Sequence, residues 1–410
     1  MILHRNACLL AIILLASLAG CGGGDSAREK GNAPSGRSWE ETEKKARGQT
    51  VTLSMWQGDP YINGYMKSYV IPALKERYGI TLNILGGQGN ALVSTLMTEM
   101  EAGSGASAYD MMWINGETFY QLRQIKALYG PFVDRLPNAR YVDFGNRFIN
   151  TDFQQPVDGY ESPWGNVQLA IIYDTLRVPD PPRTMAALES YVRAHPGKFT
   201  FDNSFTGMTF LKCLLIDLAG GEKTLAGKFN EDNYRRYSSM LWEYLNRIKP
   251  YFWKGGRSFP AEVAQLHQMF ANGEIDFSMS NNDGEVDNKI PQGLFPGTAR
   301  AYVLESGTIQ NSHFMGIAKH SAHPEGAMVV ANFLISPEAQ LRKLDPNIWG
   351  DGTVLDVSKL PEEWRARFAA VPGRRYAPPR SAIQSKALME LAPEYMIRLS
   401  DDFRKNVIER

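Results

Sequence analysis

The stretch Val51-Thr52-Leu53-Ser54-Met55-Trp56-Gln57-Gly58-Asp59-Pro60 predicts the fold class of this chain. Its first five residues form the short apolar run of a buried β-strand, and a helical pattern follows over residues 62–78, with a kink at Pro72. The order strand then helix repeats at residues 80–85, 91–101, 109–114 and 117–128. Repeated strand-helix units build a parallel sheet, so we predict an α/β fold that binds ligands at the carboxyl ends of its strands.

A second lobe is predicted beyond residue 163, where helical patterns dominate. These patterns cover residues 184–194, 207–218, 233–249 and 261–272, and a strand follows at 275–280. Strands at 302–304 and 314–318 are predicted to return to the first sheet. The predicted organisation is lobe 1 at 49–163 plus 305–345, lobe 2 at 164–304, and a C-terminal segment, 346–410, that packs on both lobes. Two crossings between lobes are typical of a hinged fold.

The first 21 residues predict an exported lipoprotein. Arg5 precedes an apolar run over residues 7–18, which is too short to span a bilayer and fits a signal peptide at 1–20. Leu18-Ala19-Gly20-Cys21 has the pattern of a bacterial lipobox, in which Cys21 becomes acylated. A secretory signal with an incidental cysteine is the alternative. We expect a flexible, lipidated linker at 21–48 and a body tethered to a membrane in the periplasm or cell envelope.

Composition narrows the function classes. The chain has 410 residues with 44 basic and 44 acidic side chains, so its charge balance gives no case for nucleic acid binding. After loss of Cys8 with the signal peptide and lipidation of Cys21, Cys213 remains alone, and no intramolecular disulfide is possible. Cys213 lies in an apolar helical pattern, which predicts a buried structural thiol. No other stretch is apolar enough to cross a bilayer.

Motifs for cofactors, metals and catalysis are incomplete. Gly86-Gly87-Gln88-Gly89 has Leu92 in place of the third glycine of a dinucleotide loop, and residues 221–228 have the wrong spacing for a phosphate loop. His313, His320 and His323 could be imagined around a metal, but a solvated loop is the better interpretation. The Asp283, Glu285 and Asp287 alternation lacks the closing Glu of a calcium loop. We therefore expect no cofactor, no metal and no catalytic residue.

Polar and aromatic residues gather directly after the predicted strands and at the crossings. Amides, carboxylates and exposed indoles are the groups with which a cleft holds a small polar solute. Each junction taken singly is explained as well by a helix cap, with Asp59 and Asn115 as examples. Together they favour a ligand cleft. The junctions are Trp56-Gln57-Gly58-Asp59-Pro60, Asn115-Gly116-Glu117, Ser162-Pro163-Trp164-Gly165, Asn281-Asn282-Asp283 and Gly307-Thr308-Ile309-Gln310-Asn311.

Several of these stretches resemble the bacterial extracellular solute-binding proteins of family 1, in particular the YnjB-like substrate-binding components of ABC transporters. The resemblance covers residues 39–361, and its most specific part is the stretch at 330–343. The matching stretches are Ala46-Arg47-Gly48-Gln49-Thr50-Val51, Trp56-Gln57-Gly58-Asp59, Trp113-Ile114-Asn115-Gly116-Glu117, Glu161-Ser162-Pro163-Trp164-Gly165, Phe205-Thr206-Gly207, Gly307-Thr308-Ile309-Gln310-Asn311-Ser312-His313-Phe314, Val330-Ala331-Asn332-Phe333-Leu334-Ile335-Ser336-Pro337-Glu338-Ala339-Gln340-Leu341-Arg342-Lys343 and Trp349-Gly350-Asp351.

The resemblance implies a type II periplasmic-binding-protein fold, whose two hinged lobes close on a solute and then dock on an ABC permease that an ATPase drives. It implies binding without catalysis, and we expect a monomer. Carried over position by position, the candidate ligand contacts are Trp56, Gly58, Asp59, Asn115, Glu117, Trp164, Thr206, Thr308 and Asn311.

Three hypotheses about function follow from the sequence. In the first, a binding protein uses Asp59 and Glu117 to hold a cationic group, with Trp56 or Trp164 supplying a cation–π face. In the second, an envelope hydrolase acts on polysaccharide with two of Asp59, Glu117, Glu161 and Asp283 as acid and base. The third is a structural lipoprotein without a ligand, in which the region between the lobes is filled.

Overall fold

The strands and helices of the first hundred body residues alternate as predicted in the computed structural model, which describes residues 38–409. The strands are β1 (Thr50–Met55), β2 (Thr81–Gly86), β3 (Met111–Ile114), β4 (Thr151–Asp152), β5 (Gln155–Pro156), β6 (Glu161–Gln168), β7 (Ala170–Asp174), β8 (Phe277–Ser280), β9 (Ala299–Tyr302), β10 (Thr308–Ile317) and β11 (Ala387–Leu388). The helices are α1 (Trp39–Ala46), α2 (Pro60–Tyr65), α3 (Ile71–Tyr78), α4 (Asn90–Glu101), α5 (Gly116–Gln124), α6 (Met185–Ala194), α7 (Phe205–Leu218), α8 (Glu231–Ile248), α9 (Val263–Ala271), α10 (Glu285–Lys289), α11 (Pro324–Leu334), α12 (Pro337–Leu344), α13 (Glu362–Ala369), α14 (Arg380–Ile383) and α15 (Pro393–Phe403).

Lobe 1 is built on a six-stranded sheet in which β1 pairs in parallel with β2 and β3. The long strand β10 runs antiparallel between β3 and β6, and its first residues pair with β11. Side chains alternate between two buried faces, so that Met111 and Met112 enter different cores. This explains why the strands read as nearly continuous apolar runs.

Lobe 2 has a three-stranded antiparallel sheet, in which β7 lies between β8 and β9. Helix α7 is its central helix, since every residue from Thr206 to Ile216 is buried. Cys213 on this helix is a buried free thiol, as predicted, and the backbone N–H of Ile309 donates to its Sγ at 3.3 Å. Burial raises the pKa of the Cys213 thiol to about 12, so the thiol is unreactive at neutral pH.

Three segments connect the lobes, and they meet at Gln168. The first connection is Leu169, which alone separates β6 of lobe 1 from β7 of lobe 2. The second is residues 303–307, between β9 of lobe 2 and β10 of lobe 1. The third is residues 389–392, between β11 of lobe 1 and the C-terminal helix α15. The N–H of Leu169 donates to the carbonyl of Ile309 at 2.8 Å. The side-chain amide of Gln168 donates to the Thr308 hydroxyl at 3.1 Å and to the Lys386 carbonyl at 3.3 Å.

The C-terminal segment is divided between the two lobes. Trp349, Val354 and Phe368 pack into the core of lobe 1. Residues from Leu391 onward, including Leu399 in α15, pack into the core of lobe 2. The segment therefore covers both lobes and adds β11 to the sheet of lobe 1.

Helix boundaries near the site have local causes. The Asp59 carboxylate accepts hydrogen bonds from the N–H groups of Tyr61 and Ile62, which confirms that it caps α2, and Pro60 occupies the first turn. One π-helical turn, Met66–Val70, joins α2 to α3, in which Pro72 is the second residue. Pro72 donates no N–H, so the helix changes its hydrogen-bonding pattern there and remains continuous.

Some boundaries differ from the sequence predictions. Residues 39–46 form α1, which packs on α11, so the predicted linker cannot reach residue 48. The segment around Trp164 is part of β6 and not a crossing loop, because it pairs with β10, and the first crossing is therefore at Leu169. Tyr302 belongs to lobe 2, where its ring contacts Tyr173 and its hydroxyl donates to the Pro182 carbonyl.

The predicted signal peptide and Cys21 lie outside the described residues. Among residues 38–409, we find no helix that combines the length and the apolar character needed to cross a bilayer.

A buried ion pair holds the C-terminal segment to lobe 1. Lys343 Nζ lies 2.6 Å from Asp351 Oδ2, both side chains are fully buried, and His313 Nε2 lies 3.3 Å from the other carboxylate oxygen. Although burial opposes it, the charges of Lys343 and His313 hold the pKa of Asp351 at about 2.

Replacing Lys343 with Met should lower the free energy of unfolding by about 3–5 kcal/mol, because Asp351 would remain buried without its cation. Urea denaturation measures this change. Lys359→Met removes an exposed pair with Asp356, whose charges water screens, and should leave the free energy of unfolding nearly unchanged. Equal effects of the two substitutions would contradict the argument.

Candidate functional site

A cavity of about 570 Å³ lies between the two lobes. Its size is that of a pocket for a small organic molecule. Residues from both lobes line it, as the fold predicts for a site at the carboxyl ends of the lobe 1 strands.

The wall from lobe 1 comes from strand ends. Trp56, Gly58 and Asp59 follow β1, while Asn115 and Glu117 follow β3. Asn311 lines the cavity from β10, and further lining residues of this lobe are Trp113, Thr118, Ser312, His313 and Trp349. Phe153, which packs in the core of lobe 2, also lines the cavity.

The wall of the cavity that lobe 2 contributes is mostly polar. It includes the first turns of helices α7 and α9. Thr206 lies in the first turn of α7, and its hydroxyl accepts a hydrogen bond from the Asn281 amide at 3.1 Å. Other lining residues of this lobe are Ser204, Phe205, Glu262, His267, Gln268, Ser280, Asn282, Glu285, Asn288, Lys289 and Gln292.

Seven of the nine residues predicted as ligand contacts lie at this cavity: Trp56, Gly58, Asp59, Asn115, Glu117, Thr206 and Asn311. Asn115 occupies the N-cap position of α5, but its side chain makes no capping hydrogen bond. Direct contact of these seven residues with a ligand stays a prediction.

The other two residues, Trp164 and Thr308, are fully buried and do not line the cavity. Trp164 is in β6, with its ring 5.1 Å from the rings of Trp113 and Trp349, which do line it. Trp164 therefore supports the cavity wall from behind. Thr308 accepts the hydrogen bond from Gln168 at the lobe crossings, which accounts for its burial.

Asp59 is already occupied by protein partners. One carboxylate oxygen caps α2, and the other forms an ion pair with Lys289 of lobe 2. Lys289 also lies 2.9 Å from Glu285, four residues earlier on α10. Burial alone would lower the pKa of Lys289, but the charges of Glu285 and Asp59 outweigh it and raise that pKa. The cation of Lys289 is therefore fixed at the junction of the lobes.

Two further hydrogen bonds join the lobes beside this ion pair. The Tyr61 hydroxyl donates to the Asn288 carbonyl at 3.2 Å, and the Asn288 amide donates to the Trp349 carbonyl at 2.5 Å. Helix α10 is itself held by Asp287, whose carboxylate accepts hydrogen bonds from three consecutive backbone N–H groups at 375–377.

Glu117 has a different environment. Its Oε2 is buried without a hydrogen-bond partner, and no Lys or Arg of the described chain lies within ion-pair distance. Burial raises the pKa of the Glu117 carboxyl, which the nearby Lys212 partly opposes. Behind it lie the buried Asp152 and the ion pair Lys212–Glu390, at 2.8 Å.

Several lining residues were not among the predicted contacts. Trp349 lies in the matching stretch Trp349-Gly350-Asp351, and that resemblance was the only sequence signal for it. Lys289 follows Glu285 by four residues on one helix face, but nothing local indicates its pairing with Asp59.

The four carboxylates of the hydrolase hypothesis do not all lie at the cavity. Glu161 is fully buried in β6, and Asp283 is buried in ion pairs with Arg374 and Arg380. Of the histidines, His323 contacts Asp110 and His313 contacts Asp351. Within residues 38–409 there is no cluster of three or more His, Cys, Asp or Glu that could hold a metal.

Comparison by sequence shows two relationships. Residues 70–370 match the profile of the family "bacterial extracellular solute-binding protein". The chain is also 38% identical over 333 residues to Protein YnjB of Escherichia coli (strain K12), an alignment that covers 80% of this chain and 85% of that protein.

Comparison by structure identifies the fold. The Tp0655 (TpPotD) lipoprotein of Treponema pallidum aligns with a TM-score of 0.63 at 13% identity, covering 88% of this chain and all of that one. The periplasmic binding protein AfuA of Actinobacillus pleuropneumoniae, with bound fructose-6-phosphate, aligns at 0.62 and 11%, covering 88% and 98%. The spermidine/putrescine substrate-binding protein PotD of Streptococcus pneumoniae aligns at 0.57 and 15%, covering 87% and 98%. The predicted two-lobed, type II periplasmic-binding-protein fold is confirmed.

Replacing Lys289 with Met should separate the lobes of the unliganded protein, because Asp59 and Glu285 would then face each other without the cation between them. We expect a larger radius of gyration in small-angle X-ray scattering. Lys343→Met removes a buried ion pair within lobe 1 and should leave the radius of the folded protein unchanged. An unchanged radius for Lys289→Met would show that the pair does not hold the lobes together.

Proposed function

This chain belongs to the family of bacterial extracellular solute-binding proteins, and we propose that it is the substrate-binding component of an ABC importer, which captures a small polar solute between its lobes. The observation that carries the proposal is the cavity between the lobes, lined by side chains from the strand ends of lobe 1 and from the helices of lobe 2. A solute that contacts both walls would bind the closed form more tightly than the open one.

In this mechanism, solute binding shifts the equilibrium between open and closed lobes. A ligand moves such an equilibrium only by its difference in affinity for the two forms. The three crossings at Gln168 would provide the hinge, and the pair Asp59–Lys289 would form as the lobes meet. The closed form would then dock on a membrane permease, through which an ATPase drives transport.

The function would be binding without catalysis. The rival hydrolase needs two carboxylates that share one substrate, one as acid and one as base or nucleophile. Glu117 lines the cavity, but both oxygens of Asp59 are engaged by backbone N–H groups and Lys289. Neither Glu161 nor Asp283 reaches the cavity.

The body would be tethered to the cell envelope by lipid on Cys21. Support comes from the sequence Leu18-Ala19-Gly20-Cys21 and from the likeness to Tp0655, which is a lipoprotein. Diacylglycerol together with an amide-linked acyl chain gives stable anchoring. The linker would end before α1, and the protein would act as a monomer.

The importer role predicts that the protein, purified gently from its own envelope without lipid, carries one solute molecule per chain. Native mass spectrometry before and after unfolding measures the released mass. Genes for a permease and an ATPase beside this gene would agree with that result. An empty chain that shows no thermal shift with amines, vitamins, sugars or metal chelates would contradict the role.

Replacing Cys21 with Ala should release the protein from the membrane fraction, because the thiol of the lipobox, which would carry the lipid, is lost. Fractionation followed by immunoblotting, with metabolic labelling by palmitate, measures both changes. Cys213→Ala is the matched control and should stay in the membrane fraction with full labelling. Retention of the Cys21→Ala variant in membranes would contradict lipid anchoring.

A further inference from the structure

The cavity is lined by more acidic than basic side chains. Four carboxylates line it, Asp59, Glu117, Glu262 and Glu285, against the lysine Lys289 and the histidines His267 and His313, of which His313 already contacts Asp351. Burial lowers the pKa of His267, the buried histidine in the wall, so this ring adds no positive charge at neutral pH. The cavity therefore carries an excess of negative charge.

In two of the four carboxylates, both oxygens already have protein partners. The oxygens of Asp59 are taken by the cap of α2 and by Lys289. Those of Glu285 are taken by Lys289 at 2.9 Å and by the Ser280 hydroxyl at 3.0 Å. Burial would raise the pKa of Glu285, but the charge of Lys289 lowers it, so this carboxylate stays ionised and paired.

Glu117 is half-buried, its Oε2 atom is fully buried, and it remains without a cation. Glu262 is exposed at the start of α9, where water screens its charge. A buried carboxylate is costly unless a cation neutralises it, so a cationic ligand group gains most at Glu117.

Aromatic rings line the cavity, and one of them lies next to the backbone at Glu117. Phe153 packs so closely on Gly116, the residue before Glu117, that a Cβ at Gly116 would lie 1.9 Å from the ring. The Phe205 ring lies 6.4 Å from Phe153, and Trp56, Trp113 and Trp349 complete the aromatic lining. Aromatic faces attract organic cations and also cover the apolar body of a ligand.

We propose that the solute carries a single cationic group on an apolar or aromatic body, and that Glu117 is its counter-ion. This inference rests on the proposed function. One carboxylate with a buried, unpaired oxygen matches one positive charge. A polyamine would place its second ammonium group near Lys289, whose carboxylates are already neutralised, or near the solvent-exposed Glu262.

Binding of such a solute depends on pH because Glu117 must be ionised. The charged groups that face Glu117 are Lys212 on α7, Glu390 before α15 and Asp152 on β4. Burial raises the pKa of Glu117, and a protonated Glu117 offers no charge to a permanent cation. Affinity therefore falls by up to about tenfold per pH unit as the pH drops below that pKa.

Isothermal titration of the ligand-free protein with benzyltrimethylammonium, from pH 5 to pH 8, tests the proposal. Spermidine, glucose and citrate serve as comparison probes. We expect the aromatic monocation to bind more tightly than all three, with an affinity that rises with pH. Glu117→Gln should weaken its binding about 10- to 100-fold and remove the pH dependence, as expected for loss of a charge-assisted contact.

Glu363→Gln, at an exposed position of α13 outside the cavity, is the matched control and should bind like the wild type. If Glu117→Gln does not fold, Glu117→Asp retains the charge and should retain the pH dependence. Tighter binding of spermidine, glucose or citrate, or no binding of benzyltrimethylammonium, would overturn the inference. The importer role would survive that result if the purified chain releases a solute of another class, and it fails separately if the chain neither carries nor accepts any solute.

Discussion

The hydrogen bonds of the Gln168 side chain are the constraint on which the two-lobed arrangement depends. Its amide joins the end of β6 to the start of β10 and to the residue before β11, while its backbone N–H donates to Asp283 at 3.2 Å. The three segments that connect the lobes are thus fastened at one place. Elsewhere, the lobes can move relative to each other without breaking a strand pairing, because each sheet belongs to one lobe.

The features that the sequence predicts correctly are formed by residues that are close together in the chain. The alternation from β1 to α5 follows from local apolar periodicity, and the capping of α2 by Asp59 involves residues two and three positions away. The cavity residues after β1 and β3 were found for the same reason, since a parallel sheet brings its strand ends together.

The parts that could not be predicted depend on distant partners. Trp164 was expected at a crossing, but β6 is buried by pairing with β10, whose residues follow more than a hundred positions later. Thr308 was expected in the cleft and instead accepts from Gln168, 140 residues away. The partner of Lys289 is 230 residues away, so no local pattern indicates that it neutralises Asp59. This pairing also decides which carboxylate of the cavity remains free.

The position of β10 in the chain has a consequence for folding. Neither lobe is continuous in sequence: the sheet of lobe 1 lacks its central antiparallel strand until residues 308–317 have been synthesised, and the core of lobe 2 lacks the residues of α15 until nearly the end of the chain. Contacts between residues far apart in the chain form slowly, because the intervening chain must first lose its conformational entropy. Both lobes therefore complete only when nearly the whole chain is present, and part of their apolar surface stays uncovered during synthesis. Such delayed folding favours a chain that must cross a membrane before it becomes compact.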